Sequence, residues 1–298
     1  MKKLTTIISV LLIGFITASC GQGDGKGKKK NKKDKETSDS EATSNPPGYD
    51  LTAPQEYKMP IELLEISGIA LNNGDNKTFY AQQDEDGSIY QFKLGDKGAK
   101  DATFAGPGDY EDLAIGNNYA IVLRSDGQLH SFPISEIANG RIRSQKIKHL
   151  MPKAEYEGME FDPDTKKLYV LCKQCDIDKG TDNNSGYSFT LGNDGEVTKS
   201  GEFKVVVEDP EGKKKFKLRP SAMAKNPLTK QWFILSSINK MLVVTDDKFA
   251  VQATYKLKGF LQPEGMAFDT AGNLYISNEG DELSSGDILM FKYNGTKK

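Results

Sequence analysis

After residue 20 the apolar residues of this chain come in short runs, broken every few positions by Gly, Asn or Asp, and no long stretch keeps a helical period. Such a pattern predicts short β-strands joined by turns. One unit recurs. EISGIALNNGDNKTFYAQ (65–82), YEDLAIGNNYAIVL (110–123), YEGMEFDPDTKKLYVL (156–171), RPSAMAKNPLTKQWFIL (219–235) and PEGMAFDTAGNLYISN (263–278) share one layout. Each holds a small or acidic residue, an apolar strand, a polar turn and a second apolar strand. A third strand follows: GSIYQF (87–92), GQLHSF (127–132), GYSFTL (186–191, after a longer loop), NKMLVV (239–244) and GDILMF (286–291). A fourth comes after that in four units: DATF (101–104), RIRSQKI (141–147), GEFKVVV (201–207) and VQATYKL (251–257). The fifth unit lacks one, and QEYKMP at 55–60 is free to supply it.

Four antiparallel strands per unit, repeated around a ring, make a β-propeller. The corresponding positions 67, 111, 157, 221 and 264 are separated by 44, 46, 64 and 43 residues, about one blade apiece with an insertion in the third. The expected fold is all-β: a single propeller of five four-stranded antiparallel blades over residues 51–298, closed by the N-terminal strand. That closure would also cover a sheet edge open to aggregation. Six blades is the rival count, if residues 192–215 form more than an outer strand. A sandwich would need two domains for so many strands, and no linker divides the repeats.

The first fifty residues stand apart. Lys2 and Lys3 precede an apolar run from Ile7 to Ile16, too short for a membrane span, and Thr17-Ala18-Ser19 leads into Cys20. This reads as a lipoprotein signal peptide over residues 1–19 with Cys20 lipidated; the alternative is an ordinary signal peptide cut just before a free Cys20. Residues 20–50 then hold GQGDGKGKKKNKKDKE and TSDSEATSNPPG, a composition that cannot bury apolar surface and predicts a Lys-rich, disordered tether. Of the 40 basic and 42 acidic residues, nine and six lie within residues 1–50, so the remainder carries 31 against 36. A net-acidic folded part argues against nucleic acid as a partner. The expected partners are a membrane, through the N-terminal lipid and the lysines beside it, and a protein or small-molecule ligand. A monomer is expected.

The series ISGI, YEDL, YEGM, PSAM and PEGM, with the GNLYISNEG ending, resembles the SdiA-regulated family of exported bacterial propellers over roughly residues 60–293. The resemblance implies five blades on an exported, often membrane-tethered chain with bound calcium; with the N-terminal signal, the expected place is a lipid anchor on a bacterial membrane, at the periplasmic side or the cell surface. The residues give their own reason for a cation. In a propeller the inner strand of each blade starts at one mouth of the central channel, so Ser67, Glu111, Glu157, Ser221 and Glu264 form a ring there. Like charges ~6 Å apart repel by about 3 kcal/mol per pair at an effective dielectric of ~20. Converging glutamates would then cost about 8 kcal/mol, comparable with the stability of a whole domain. They must be protonated, spread apart or bound to a cation, and no Lys or Arg aligns with them in the ring. Calcium takes several oxygen ligands in flexible geometry, whereas zinc would ask for His or Cys. Glu111, Glu157 and Glu264 are therefore the candidate Ca2+ ligands, with Ser67 and Ser221 as supporting hydroxyls or merely small residues. In the competing reading each glutamate accepts backbone N–H groups of the neighbouring blade and holds the ring together.

The loop after each second strand should open at the same mouth, which makes Asp84, Arg124, Lys173, Asn278 and Glu279 candidates for a polar rim. DIDKGTDNNSG (176–186) offers oxygens for a second ion. Cys172 and Cys175 form a CxxC at the end of a strand rather than at a helix N-terminus, so a local disulfide is expected, not a redox site. Two function classes follow. One is a calcium-containing binding or scaffold propeller held at the cell envelope. The other is a calcium-dependent hydrolase of a lactone or phosphoester. His130 and His149 are expected away from the axis, so Glu279 or Asp84 would have to serve as the base.

Overall fold

A computed structural model of the chain describes residues 45–208 and 216–295. The expected signal peptide, lipidated Cys20 and most of the tether lie outside the described residues. Strand β1 (Gln55–Lys58) comes first. The first blade is β2 (Ile66–Leu71), β3 (Phe79–Gln83), β4 (Ser88–Phe92) and β5 (Lys100–Thr103); the second is β6 (Tyr110–Gly116), β7 (Tyr119–Arg124), β8 (Leu129–Pro133) and β9 (Gln145–Ile147). The third is β10 (Glu155–Asp162), β11 (Lys167–Gln174), β12 (Asn183–Leu191) and β13 (Val197–Val206). The fourth is β14 (Ala222–Lys225), β15 (Trp232–Ser236), β16 (Met241–Thr245) and β17 (Val251–Lys256). The fifth is β18 (Pro263–Phe268), β19 (Leu274–Asn278) and β20 (Asp287–Phe291), with β1 as its outer strand.

Every sheet runs in antiparallel order from inner to outer strand, and β1 closes the ring against β20 in the register Tyr57 opposite Ile288. Among the described residues the stretch 192–208 contributes the outer strand β13, paired along its length with β12, and the sheets are five four-stranded blades. Inner strands are covered on both faces and read as continuous apolar runs; Ile66–Leu71 is buried throughout. Outer strands keep one face in solvent, and Val251–Lys256 has no fully buried residue.

The core lies between neighbouring blades. Trp232 of β15 sits 4.8 Å from the Tyr169 ring and 5.0 Å from that of Phe249, joining the third and fourth blades. Side chains of this size each contribute about 1.5–3 kcal/mol by leaving water. The folded part also starts earlier than residue 51. Tyr49, placed by its sequence context in the tether, is buried against Phe233, Phe268 and Tyr293. Its hydroxyl donates to the Gly272 carbonyl at 2.6 Å, in the turn between β18 and β19. Among the described residues no helix is long and apolar enough to cross a membrane.

Candidate functional site

The repeated glutamates sit where the inner strands fall out of register. Between Tyr110 and Asp112, Tyr156 and Gly158, and Pro263 and Gly265 the ladder to the second strand skips one residue, leaving Glu111, Glu157 and Glu264 unpaired. In the first blade the skip falls between Ile66 and Ile69, around Ser67. In the fourth, Ser221 lies just ahead of β14. A bulge turns one side chain away from the alternation of its strand. Here it sets apart Ser67, Glu111, Glu157 and Glu264, in four of the five blades.

In the first and fifth blades the residue after the bulge is glycine because a neighbouring blade approaches closely. A Cβ on Gly265 would meet the Ser67 carbonyl oxygen at 2.3 Å and Ser277 Oγ at 2.4 Å. Those two atoms are hydrogen-bonded to each other, Ser277 donating at 2.7 Å, which ties the fifth blade to the first. Ser67 in turn donates to the Glu111 carbonyl at 2.8 Å, tying the first to the second. Only the second blade places a large residue at this point. Asp112 is buried, and its carboxylate accepts the Leu113 N–H at 2.8 Å and the Met159 N–H of the third blade at 2.6 Å. Asp112 and two serines thus make inter-blade ties at this level, and Glu264 of the fifth blade makes another through the Ser221 and Ser237 side chains of the fourth.

The sequence expectation of a ring without an aligned cation is corrected by β11. Lys173 Nζ forms an ion pair with Glu157 and lies 3.3 Å from Glu155. Lys173 belongs to the strand beside the inner one, sixteen residues from Glu157, so no alignment of ring positions reveals it. The other two glutamates have no lysine in contact, and burial disfavours their charged forms. Burial, then Asp109 beside it, pushes the Glu111 carboxyl up to about 8, with Lys173 opposing. Burial raises Glu264, offset by hydrogen bonds from the Ser221 and Ser237 side chains. Glu279 is pushed up to about 7 by burial and then by Glu264 and Asp84. Asp84 is raised by burial and by Glu85. The acids of the fifth, first and second blades thus share one field.

Two oxygens among them lack donors: Asp84 Oδ1 and Asn278 Oδ1 are buried without a hydrogen-bond partner. Asn278 is fixed by donating from Nδ2 to Asp287 at 2.8 Å, so its free carbonyl cannot turn away. The donor set is all oxygen, anionic and short of donors, which fits a hard cation such as calcium. The three ring carboxylates do not, however, all come within 4.8 Å of one another. Among the described residues the His, Cys, Asp and Glu group that does is Cys172, Cys175 and Asp178. The two cysteines are joined in a disulfide and Asp178 is occupied by Ser185, through its N–H and its hydroxyl, each at 2.8 Å. That arrangement braces the loop 176–186 and leaves Asp178 little freedom to hold the second ion considered for it.

Arg124 pairs with Asp126 at 2.9 Å. His130 is buried against Phe104 and Tyr110 and held down to about 4 by that burial, so it is neutral and part of the blade core. Sequence reading missed Asp109, Asp112, Ser237 and Gln262, the last donating to Glu279 at 2.6 Å. Asp112 had a signal, since it stands where two other blades put Gly after Glu.

The fold and this mouth define a five-bladed β-propeller with a channel entrance built from carboxylates. The model of the SdiA-regulated family matches residues 45–282, and the chain belongs to that family. No curated protein matches the chain. Among solved structures it is similar to a luciferin-regenerating enzyme, at 12% identity and a TM-score of 0.52, over 82% of this chain and 98% of that one. It is also similar to the glutaminyl cyclase of Myxococcus xanthus, at 12% identity and a TM-score of 0.56, over 80% and 95% of the two chains. At such identity the likeness concerns the fold alone.

Proposed function

We propose that the protein is a membrane-anchored, calcium-binding propeller that acts as a binding or scaffold module at the cell envelope. The observation that carries the metal is the pair of buried, unpartnered oxygens, Asp84 Oδ1 and Asn278 Oδ1, among acids raised chiefly by burial and opposed by Lys173 and Lys240 only as neighbouring charges. Glu111 and Glu264 would hold the ion with those oxygens, while Glu157 is balanced by Lys173. Bound calcium would supply the positive charge this wall of the mouth lacks. A binding role is supported by the surface around the mouth. Six large apolar side chains are exposed among the described residues, and Ile61, Ile177, Ile238, Leu261 and Leu283 lie on loops at this face. These loops give one face of the propeller apolar surface that a partner could cover. The anchor rests on the N-terminal sequence, and the described chain enters beside Gly272, at the face opposite the mouth. An anchored propeller would therefore be free to turn its mouth away from the bilayer.

One observation favours the alternative, a calcium-dependent hydrolase of a lactone or phosphoester. Glu279, pushed up to about 7, has the acidity of a general base at neutral pH. Thermal melts of the full chain in EDTA and in calcium, with a lactone and phosphoester hydrolysis screen on the same sample, test both. A calcium-raised Tm without turnover supports the binding module, and calcium-dependent turnover lost in Glu279→Gln supports the enzyme. A Tm indifferent to calcium in metal-stripped protein removes both.

A further inference from the structure

The face opposite the mouth carries a second concavity. It encloses about 180 Å3 between the ends of the inner strands and the turns that follow them. Three residues beyond each ring position stand Ala70, Ala114, Glu160, Ala224 and Ala267. Four blades set a methyl group at this level, and the third sets a carboxyl. Glu160 is half-buried and lines the cavity.

The acids in that wall are Glu160, Asp162, Asp164 and Asp269, against two lysines, Lys225 and Lys230. The lysines are committed: Lys225 lies 2.7 Å from Asp162 and 3.8 Å from Asp164, and Lys230 lies 2.7 Å from Asp164. Asp269 is filled by neutral donors, the N–H groups of Ala271 and Asn273 and the side chains of Asn76, Asn273 and Tyr275. Glu160 has the Phe161 N–H and, among the described residues, no lysine or arginine at ion-pair distance; Lys225 acts on it only as a neighbouring charge while held by Asp162. The rest of the wall is apolar, including Leu71, Ile115, Phe161 and Phe268.

We infer that this cavity binds a small organic cation, a singly charged alkylammonium with an apolar body, whose ammonium sits on the Glu160 carboxylate. A carboxylate drawn partly out of water without an ion-pair partner is costly, so a ligand that supplies one is favoured. An ammonium group supplies the missing charge and three hydrogen-bond donors, while the carbon body covers the apolar wall. A divalent metal would want six or more oxygens, and two of the neighbouring carboxylates are held by lysines. An anion would meet the net-acidic wall. The volume is below the 300–1,000 Å3 typical of drug-sized sites, so the ligand is small. This site is independent of the mouth and of any metal there.

Calorimetric titration of the full chain with phenethylammonium chloride tests it, with phenethyl alcohol and hydrocinnamate as the neutral and anionic matches. The ammonium should bind saturably at one site per chain and the other two should not. Glu160→Gln keeps the shape and should weaken binding at least ~tenfold. Ala267→Leu leaves Glu160 in place, fills the cavity, and should weaken it too. Glu279→Gln, at the other mouth, should change nothing. Thermal melts check that each variant is folded; should Glu160→Gln fail to fold, the charge series on wild type and Ala267→Leu decide. Equal binding of the alcohol, unchanged affinity in folded Glu160→Gln or Ala267→Leu, or no saturation up to about 10 mM, where a fragment-sized ligand would register, overturns the inference.

Discussion

Replacing Gly265 by alanine adds one methyl group, and the structure says where it must go. Its Cβ would lie 2.3 Å from the Ser67 carbonyl oxygen and 2.4 Å from Ser277 Oγ. Neither neighbour can swing aside freely, because one is backbone and the other is bonded to it at 2.7 Å. Relief requires the first and fifth blades to part at the mouth. Overpacking of this kind costs about 1–3 kcal/mol, and loss of the Ser277 hydrogen bond adds about 1 kcal/mol. For a domain of this size ~1 kcal/mol moves Tm by about 2–4 °C, so Gly265→Ala should melt roughly 5–12 °C below wild type. Gly158 is the control: its added Cβ would meet Ala222 and Met223 at 3.3–3.4 Å, and a small shift accommodates it. Circular dichroism melts of the two variants decide the matter. Equal melting of Gly265→Ala and Gly158→Ala would refute the claim that Gly265 is glycine because of the contact between the first and fifth blades.

Three further outcomes are expected. Lys173→Met should cost about 3–5 kcal/mol, because it leaves Glu157 uncompensated at 6% side-chain exposure, and adding Glu157→Gln should restore much of it; a single variant as stable as wild type by urea denaturation would contradict this. In EDTA, stability should fall as pH rises from about 4.5 to 8, since folded Glu111 keeps its proton up to about 8 and Glu279 up to about 7 while the unfolded chain releases both near 4.5. The fall should total about 3–5 kcal/mol after solvent screening, and a stability that rises across that window in Tm measurements would show the acids are not desolvated as described. A chain beginning at residue 62 loses both β1 and buried Tyr49, and should lose at least the ~3–5 kcal/mol of a truncated core aromatic, whereas one beginning at residue 45 should melt like the full chain.

The blades were legible because each inner strand repeats one short pattern, from SGIA to EGMA, at nearly constant spacing. Closure was legible too, since the last unit visibly lacks a fourth strand. The mouth was legible only in part. Aligned positions bring out residues on inner strands, so Glu111, Glu157 and Glu264 stood out, but Lys173 reaches Glu157 from the adjacent strand. The bulges cannot be read from alternation, because a bulge is where alternation fails. Tyr49 was hidden by its neighbours: a single aromatic after NPPG in a polar stretch looks like tether, and its partners are far away in the fourth and fifth blades. Glu160 had a signal that could have been used, one acid in a column of alanines.

The central claim, that the mouth of the channel is a calcium site, is tested most directly by calorimetric titration of calcium into metal-stripped protein. One ion should bind per chain, and Glu264→Gln and Glu111→Gln should each weaken it at least ~tenfold, about 1.4 kcal/mol, while Glu160→Gln at the opposite face should leave it unchanged. No heat of binding in folded, metal-free wild type, or an affinity indifferent to Glu264→Gln, would contradict the account.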